Sequence, residues 1–180
     1  MSYGAPSLER VPIMINVSLL QMMMEARTFF GGGATPSDRT WPVANLALYL
    51  PLLIPKKINV ANMFWQNGAT ISGNVCMGLY NEAGTRLQQT TIVAHAGASA
   101  IQAPSITAFD LPRGRYWLGI AFSSATATIR GFGTSAVGAD ANKWCAIGEE
   151  ALGSTQIPTT MTPVASARNV FLPFIGITRN

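Results

Sequence analysis

Residues able to do acid–base or nucleophilic chemistry are few and scattered in this 180-residue sequence. His95 is the only histidine, and its neighbours on both sides are alanines. A hydrolytic triad needs a base that is held by an orienting acid beside a nucleophile, and no such spacing surrounds His95. We therefore expect a locally hydrogen-bonded histidine in a loop or at the end of a strand, and we predict no catalytic residue.

The remaining candidates for chemistry also favour structural explanations. Cys76 and Cys145 have no CxxC spacing, so neither a metal site nor a cofactor is predicted. Whether they form a disulfide stays open, although a buried free thiol is favoured at Cys76. Glu149–Glu150 is the one close carboxylate pair of the kind that sugar hydrolysis uses, but its polar surroundings favour a solvated turn. Gly31–Gly33 lacks the following Lys-Ser/Thr of a phosphate-binding loop, which favours a hinge.

The charge content is unusually low. Charged residues make up 11% of the chain, against about 25% in an average soluble domain. Spread over a folded surface of this size, that is about one charge per 420 Å². A free monomer normally carries a more charged surface, so we expect neighbouring subunits to cover part of this one. The alternative is an ordinary β-protein coated with Thr, Ser and Gln.

Composition and the positions of the charged residues argue against several other classes of protein. Hydrophobic residues reach 48%, which opposes disorder. The apolar runs 11–24 and 43–55 are shorter than the ~20 residues of a membrane span, and the first ten residues lack the order of a secretory signal. Basic residues adjoin only at Lys56–Lys57, with Arg113 and Arg115 close to each other elsewhere. Without a basic stripe, we predict no nucleic-acid binding.

Alternating apolar residues and turn signals predict a β-rich chain. In 72–91 the residues Val75, Met77 and Leu79 are predicted to face one way and the residues 76, 78 and 80 the other. A turn ending in Gly84 leads into a return strand. The segment Pro51–Pro55 interrupts the alternating run Leu46–Leu50. Because proline cannot donate a hydrogen bond within a sheet, this strand is predicted to be kinked or at an edge. Further strands are predicted at Ile58–Gln66, Ile101–Leu111, Arg115–Ser123, Thr126–Phe132 and, as a closing edge strand, Asn169–Ile177.

Short strands at this spacing indicate an all-β fold, a single antiparallel β-sandwich. Residues 1–40 are predicted to form an N-terminal arm and assembly segment, within which Ile13–Phe30 favours a strand running into a short helix. Residues 41–180 would form the sandwich and include a long loop, 133–168, that is rich in Gly, Ala, Ser and Thr. Loops of this length are usually functional or held by a partner.

Aromatic and methionine side chains supply the candidate contacts. Trp65 and Trp117 lie in strand-like runs and are expected in the core. Interfaces are enriched in aromatic residues and methionine. The candidates for contact with a ligand or a neighbouring subunit are therefore Trp41, Trp144, Met22, Met23 and Met24.

Several runs between residues 44 and 132 resemble the β-sandwich modules of tailed-bacteriophage virion proteins. The first group is ALYLP at 47–51, FWQNG at 64–68 and SGNV at 72–75. The second is GLYNEAGTRL at 78–87, which matches a G-x-Y-x-x-x-G-x-x-L hairpin, and LPRGRYWL at 111–118, which matches an L-x-x-G-x-Y-x-L strand. The resemblance implies a jelly-roll-like sandwich and no catalytic residues.

The resemblance also implies a function. It favours a non-enzymatic virion structural protein, most simply an auxiliary head or decoration protein located in the virion. Such a protein would bind itself, as a symmetric homo-oligomer and by the resemblance a trimer, and the major capsid protein. The alternative is a receptor- or glycan-binding module of a tail or fibre, for which Trp144 is the leading contact. A cell-wall hydrolase would rest on Glu149–Glu150 alone.

Overall fold

The computed structural model describes residues 36–132, 148–165 and 171–179. The predictions made for the arm before residue 36, for Met22, Met23 and Met24, and for Trp144 and Cys145 fall outside these ranges. The described residues form 14 β-strands: β1 (Ser37–Thr40), β2 (Leu46–Ile54), β3 (Ile58–Gln66), β4 (Asn74–Asn81), β5 (Arg86–Gln89), β6 (Val93–Ala94), β7 (Ile101–Gln102), β8 (Ser105–Leu111), β9 (Gly114–Phe122), β10 (Thr128–Phe132), β11 (Gly148–Ala151), β12 (Val164–Ala165), β13 (Leu172–Pro173) and β14 (Ile175–Arg179).

The strands lie in two facing layers, and the pairs within each layer are antiparallel. One layer is a seven-stranded sheet in the order β12-β11-β2-β9-β4-β5, with β6 also paired to β4. The other layer combines the sheet β1-β10-β13 with the sheet β14-β3-β7, in which β8 also pairs with β3. The predicted all-β antiparallel sandwich is therefore confirmed, whereas a jelly-roll strand order stays a prediction.

The C-terminal strand segment joins the two smaller sheets. Phe174 donates its N–H to the carbonyl of Arg130 on β10 at 2.8 Å and accepts a bond from the N–H of Gln66 on β3 at 3.1 Å. The chain therefore changes partner between β13 and β14, and each half lies at the edge of its own sheet. This is how the predicted closing strand completes the second layer.

The space between the layers holds the main hydrophobic core. Val75, Met77 and Leu79 of β4 point inward, as their alternation predicts, and Met63 and Trp65 of β3 face them from the opposite layer. None of these five side chains is exposed to solvent. Burial of apolar surface at about 25 cal/mol per Å² is the main force that holds two such layers together.

The outer face of the seven-stranded sheet is buried as well. Small residues and two tyrosines of β2, β4 and β9 form a second apolar cluster with Ile157, which lies in the chain after β11. We call residues 152–163 the cover segment. Because both faces of the central strands are covered, these strands are apolar at nearly every position rather than at alternate positions.

Two local predictions can be compared directly with the strands. The 72–91 hairpin is confirmed as β4 and β5, with Gly84 at φ 83° in the turn and the N–H of Asn81 bonded to the carbonyl of Thr85. Pro51 does not break β2, which pairs with β9 over its full length. The described part of β11 pairs with β2 only as far as Tyr49. Among the described strands, Pro51 therefore has a neighbouring strand, β9, on one side only. This position suits proline, which has no N–H to donate to a second neighbour.

Glycines on the outer face make room for the tyrosines, which leads to a stability prediction. A Cβ at Gly119 would lie 2.8 Å from the ring of Tyr49. We expect Gly119→Ala to lower the free energy of unfolding by about 1–3 kcal/mol, because the buried ring has no free space to move into. Gly153→Ala is the matched control, since nothing lies within 4 Å of its Cβ position. Urea denaturation of both variants checks this, and equal stability would contradict it.

Candidate functional site

Trp41 does not lie on the surface. Its side chain is 1% exposed, and its ring lies against Phe122, with centroids 4.5 Å apart, and against the edge of Phe171. The indole N–H donates to the carbonyl of Leu46 at 3.1 Å. The prediction that Trp41 contacts a ligand or a neighbouring subunit is therefore wrong for this fold, because the ring is a core residue. Trp65 is buried as expected, and Trp117 is half-buried against the outer cluster.

The Glu149–Glu150 pair is not a solvated turn. Both residues belong to β11, where Glu149 is buried and Glu150 is half-buried. Glu149 stands opposite Leu48 of β2, which packs in the main core, whereas Glu150 stands opposite Ala47, which packs in the outer cluster. Since adjacent strand residues point to opposite faces, the two carboxylates cannot act on one sugar ring. This geometry removes the basis for a hydrolase.

Glu150 instead helps to hold the cover segment. Its Oε2 accepts bonds from the hydroxyl of Tyr49 at 2.7 Å and from the N–H of Thr162 at 3.1 Å, and its Oε1 accepts one from the Thr162 hydroxyl at 2.8 Å. Burial raises the pKa of Tyr49 well above its ordinary value, and Tyr80 and Glu150 raise it further. The phenol therefore stays a neutral donor. A carboxylate whose oxygens are both bonded in this way is a structural anchor.

The middle of the cover segment is held by backbone acceptors. The Tyr80 hydroxyl donates to the carbonyl of Pro158 at 2.9 Å, and the guanidinium of Arg86 donates to the carbonyl of Ile157. The N–H of Arg86 also bonds to the carbonyl of Thr159. Burial raises the pKa of Tyr80, so this phenol is neutral too. The described part of the predicted 133–168 loop is therefore held by its own sheet.

His95 is bonded locally, as predicted, and is deeply buried. It follows β6 and is 4% exposed. Its Nδ1 accepts the N–H of Ser72 at 3.3 Å, and its ring meets the edge of Phe122 at a centroid distance of 5.0 Å. The neutral ring then carries its proton on Nε2, which is buried and has no hydrogen-bond partner among the described residues. Burial lowers the pKa of His95 below its usual 6.5, partly offset by the bond from Ser72.

Clusters of metal-ligating side chains and membrane-spanning helices are absent from the described residues. Within 36–132, 148–165 and 171–179, no three His, Cys, Asp or Glu side chains are grouped so that they could hold a metal ion. Cys76 is a buried free thiol, as expected. In the same part of the chain there is no helix that is long and apolar enough to cross a membrane.

Six of the 13 charged side chains in the described residues lie together at one end of the sandwich. Three turns meet there, because Ile54 pairs with Gly114, Ile58 with Leu111, and β4 ends beside Tyr116. We call this the charged end. Its charged residues are Lys56, Lys57, Glu82, Asp110, Arg113 and Arg115.

The opposite end carries no Lys, Arg, Asp or Glu in any of its described loops. We call it the uncharged end and define it by residues 41–45, 67–73, 95–100, 123–127 and 152–156. His95, which burial keeps neutral, is its only titratable side chain. At its flank, on β1 and β10, lie Arg39 and the pair Asp38 with Arg130, whose charged atoms are 3.2 Å apart. This end therefore presents small, hydroxyl-bearing and apolar residues to solvent.

A buried amide fixes the most prominent loop of the uncharged end. Asn67 is fully buried; its Oδ1 accepts the indole N–H of Trp65 at 2.6 Å, and its Nδ2 donates to the carbonyls of Ala96 and Gly97. The N–H of Ser99 also bonds to the carbonyl of Gly68. The Asn-Gly dipeptide at 67–68 by itself indicates only a turn. The further role of Asn67 depends on a loop about 30 residues later in the chain.

The outer cluster leads to a prediction about the cover segment. Ile157 is fully buried, so Ile157→Ala should leave a cavity under the cover segment and reduce stability by about 2–5 kcal/mol. We also expect faster proteolytic cleavage within 152–163. Thr159→Ala is the control, since Thr159 is exposed and only its backbone bonds to Arg86. Equal cleavage rates for the two variants would show that the cover segment is held by other contacts.

His95 leads to a prediction about pH. Because folding lowers its pKa, the unfolded chain takes up a proton first as the pH falls below 6.5. The free energy of unfolding should therefore be constant above this pH and decrease below it, by at most about 1.4 kcal/mol per pH unit. The measurement is urea denaturation of the native chain and of His95→Gln between pH 7.5 and 5. Since this is the only histidine, an unchanged slope in the variant would refute the assignment.

Comparison with protein-family models, with curated proteins and with solved structures finds no match to this chain. Its function is therefore argued from its own residues. The features that bear on its function are the burial of one sheet on both faces, the placement of Glu149 and Glu150 on different faces, and the contrast between a charged and an uncharged end.

Proposed function

We propose that this chain is a non-enzymatic structural protein that assembles with copies of itself through the uncharged end. The observation that carries the proposal is the absence of Lys, Arg, Asp and Glu from the described loops of the uncharged end. A surface that must face water normally mixes both signs of charge over its whole area. Charged residues are depleted at the cores of subunit interfaces, which is the pattern of the uncharged end.

Exposed apolar side chains at this end support the same conclusion. Val43 is 40% exposed, and the alanines at 44, 69, 98 and 125 are also exposed. Ile101, at the base of the 95–100 loop, is 49% exposed. Burial of these groups against a neighbouring subunit would stabilise the assembly without leaving any unpaired charge behind.

The rigidity of the 95–100 loop also favours association. Association costs free energy when flexible loops and side chains must be ordered. Here the bonds of Asn67 and the positive φ angles of Gly97 and Ser99 hold the loop in one conformation. A loop that is already ordered loses little conformational entropy when a neighbour binds.

The setting that we propose for this assembly is the virion of a tailed bacteriophage, with the chain as an auxiliary head or decoration protein on the major capsid protein. Support for the setting comes from the sequence runs between residues 47 and 118 and from the β-sandwich that contains them. A closed symmetric oligomer suits such a role, and the resemblance to these virion proteins favours a trimer.

The assembly surface can be tested with paired substitutions of equal charge change. Ala98→Glu with Ala125→Glu places two carboxylates on exposed positions of the uncharged end. We expect this variant to be monomeric by native mass spectrometry and light scattering, because two desolvated charges would oppose the contact. Lys56→Gln with Arg113→Gln removes the same two units from the net charge of +4 at the other end and should keep the oligomer. Circular dichroism confirms folding of both.

Two results would overturn this function. One is an unsubstituted chain that is monomeric at every concentration measured. The other is a folded Ala98→Glu/Ala125→Glu variant that forms the same oligomer as the unsubstituted chain.

A further inference from the structure

Two connections cross the charged end side by side. The turn at 55–57 leads from β2 in the seven-stranded sheet to β3 in the opposite layer, and the turn at 112–113 returns from β8 to β9. The register pairs on either side of both turns, Ile54 with Gly114 and Ile58 with Leu111, make them neighbours. Two groups of basic residues that are 57 positions apart in the sequence therefore lie on adjacent turns.

The result is a group of exposed cations that we call the basic patch, consisting of Lys56, Lys57, Arg113 and Arg115. The 112–113 turn is held in place by a hydrogen bond from the Tyr116 hydroxyl to the carbonyl of Pro112 at 2.9 Å. Lys57 pairs with Asp110 at 2.5 Å, and Arg115 lies 3.9 Å from Glu82. Among the described residues, Lys56 and Arg113 have no acidic partner, so the patch keeps two uncompensated positive charges.

We propose that the basic patch binds an acidic surface of a different protein. This inference rests on the proposed function: the uncharged end contacts like subunits, and the charged end contacts an unlike one. A second copy of this chain does not supply the acidic surface from its described part. Asp38 is paired with Arg130, and Asp110 and Glu82 are paired with Lys57 and Arg115 of the basic patch itself. Glu149 is buried, and both oxygens of Glu150 are bonded.

The composition of the charged end favours a protein over a nucleic acid. A nucleic acid requires several cations that together neutralise successive phosphates. Here Asp110 and Glu82 lie among the cations, and they would repel a continuous phosphate backbone. Bonds from Asn59 and Lys57 lower the pKa of Asp110, so this carboxylate is ionised at neutral pH. Mixed charge suits a partner whose own acidic and basic groups are arranged to match.

The experiment uses poly-L-glutamate as the acidic probe and the full chain as the protein. Binding is measured at 50 and 300 mM NaCl in the Ala98→Glu/Ala125→Glu background, where the protein is expected to be monomeric and multivalent binding is avoided. We expect binding at low salt that weakens at high salt. Adding Lys56→Gln and Arg113→Gln should weaken it about fivefold or more at 50 mM, as expected for two lost exposed ion pairs.

The outcomes separate this inference from the proposed function. Equal affinity with and without Lys56→Gln/Arg113→Gln would overturn the basic patch as the binding surface, whatever the oligomeric state. Tighter binding of a 12-base-pair DNA duplex than of poly-L-glutamate would overturn the assignment to an acidic protein. An unsubstituted chain that is monomeric but binds poly-L-glutamate through these residues would refute the proposed self-assembly. It would support the basic patch as a binding surface.

Discussion

The burial of one sheet on both faces is the constraint on which the rest of the structure depends. Strands β2, β4 and β9 pack inward against β3 and the second layer, and outward against the cover segment. Without this segment, the cluster around Ile157 would be exposed to water. Gly78 leaves space for it, since a Cβ there would lie 2.6 Å from the Ile157 side chain, and Gly119 leaves space for the ring of Tyr49. The tight fit explains why these positions are small.

The polar groups of the outer face follow from the same constraint. Buried hydroxyls need acceptors, and Tyr49 and Tyr80 find theirs in Glu150 and in the carbonyl of Pro158. The carboxylate that looks most like a catalytic residue in the sequence thus serves to anchor a segment. Its neighbour Glu149 is turned to the other face by the pleat of the strand. The hydrogen bonds of Glu150 therefore serve the packing of the cover segment on the sheet.

Low charge and charge segregation together describe a molecule with two different ends. The uncharged end combines an internally bonded 95–100 loop with exposed alanines, whereas the charged end carries the basic patch on two adjacent turns. Subunits in an ordered assembly need one surface for their like neighbours and another for whatever supports them. The two proposals assign these two surfaces and attribute them to separate sets of residues.

Local patterns determined much of the fold from the sequence alone. Alternation along Val75–Tyr80 and the turn ending in Gly84 depend on neighbours within a few residues. Tertiary structure decided the rest. Glu150 is bonded to a tyrosine 101 positions away, Trp41 is buried by Phe122 and Phe171, and the basic patch unites turns 57 positions apart. Burial and charge clustering depend on distances in space, which strand pairing sets and composition does not record.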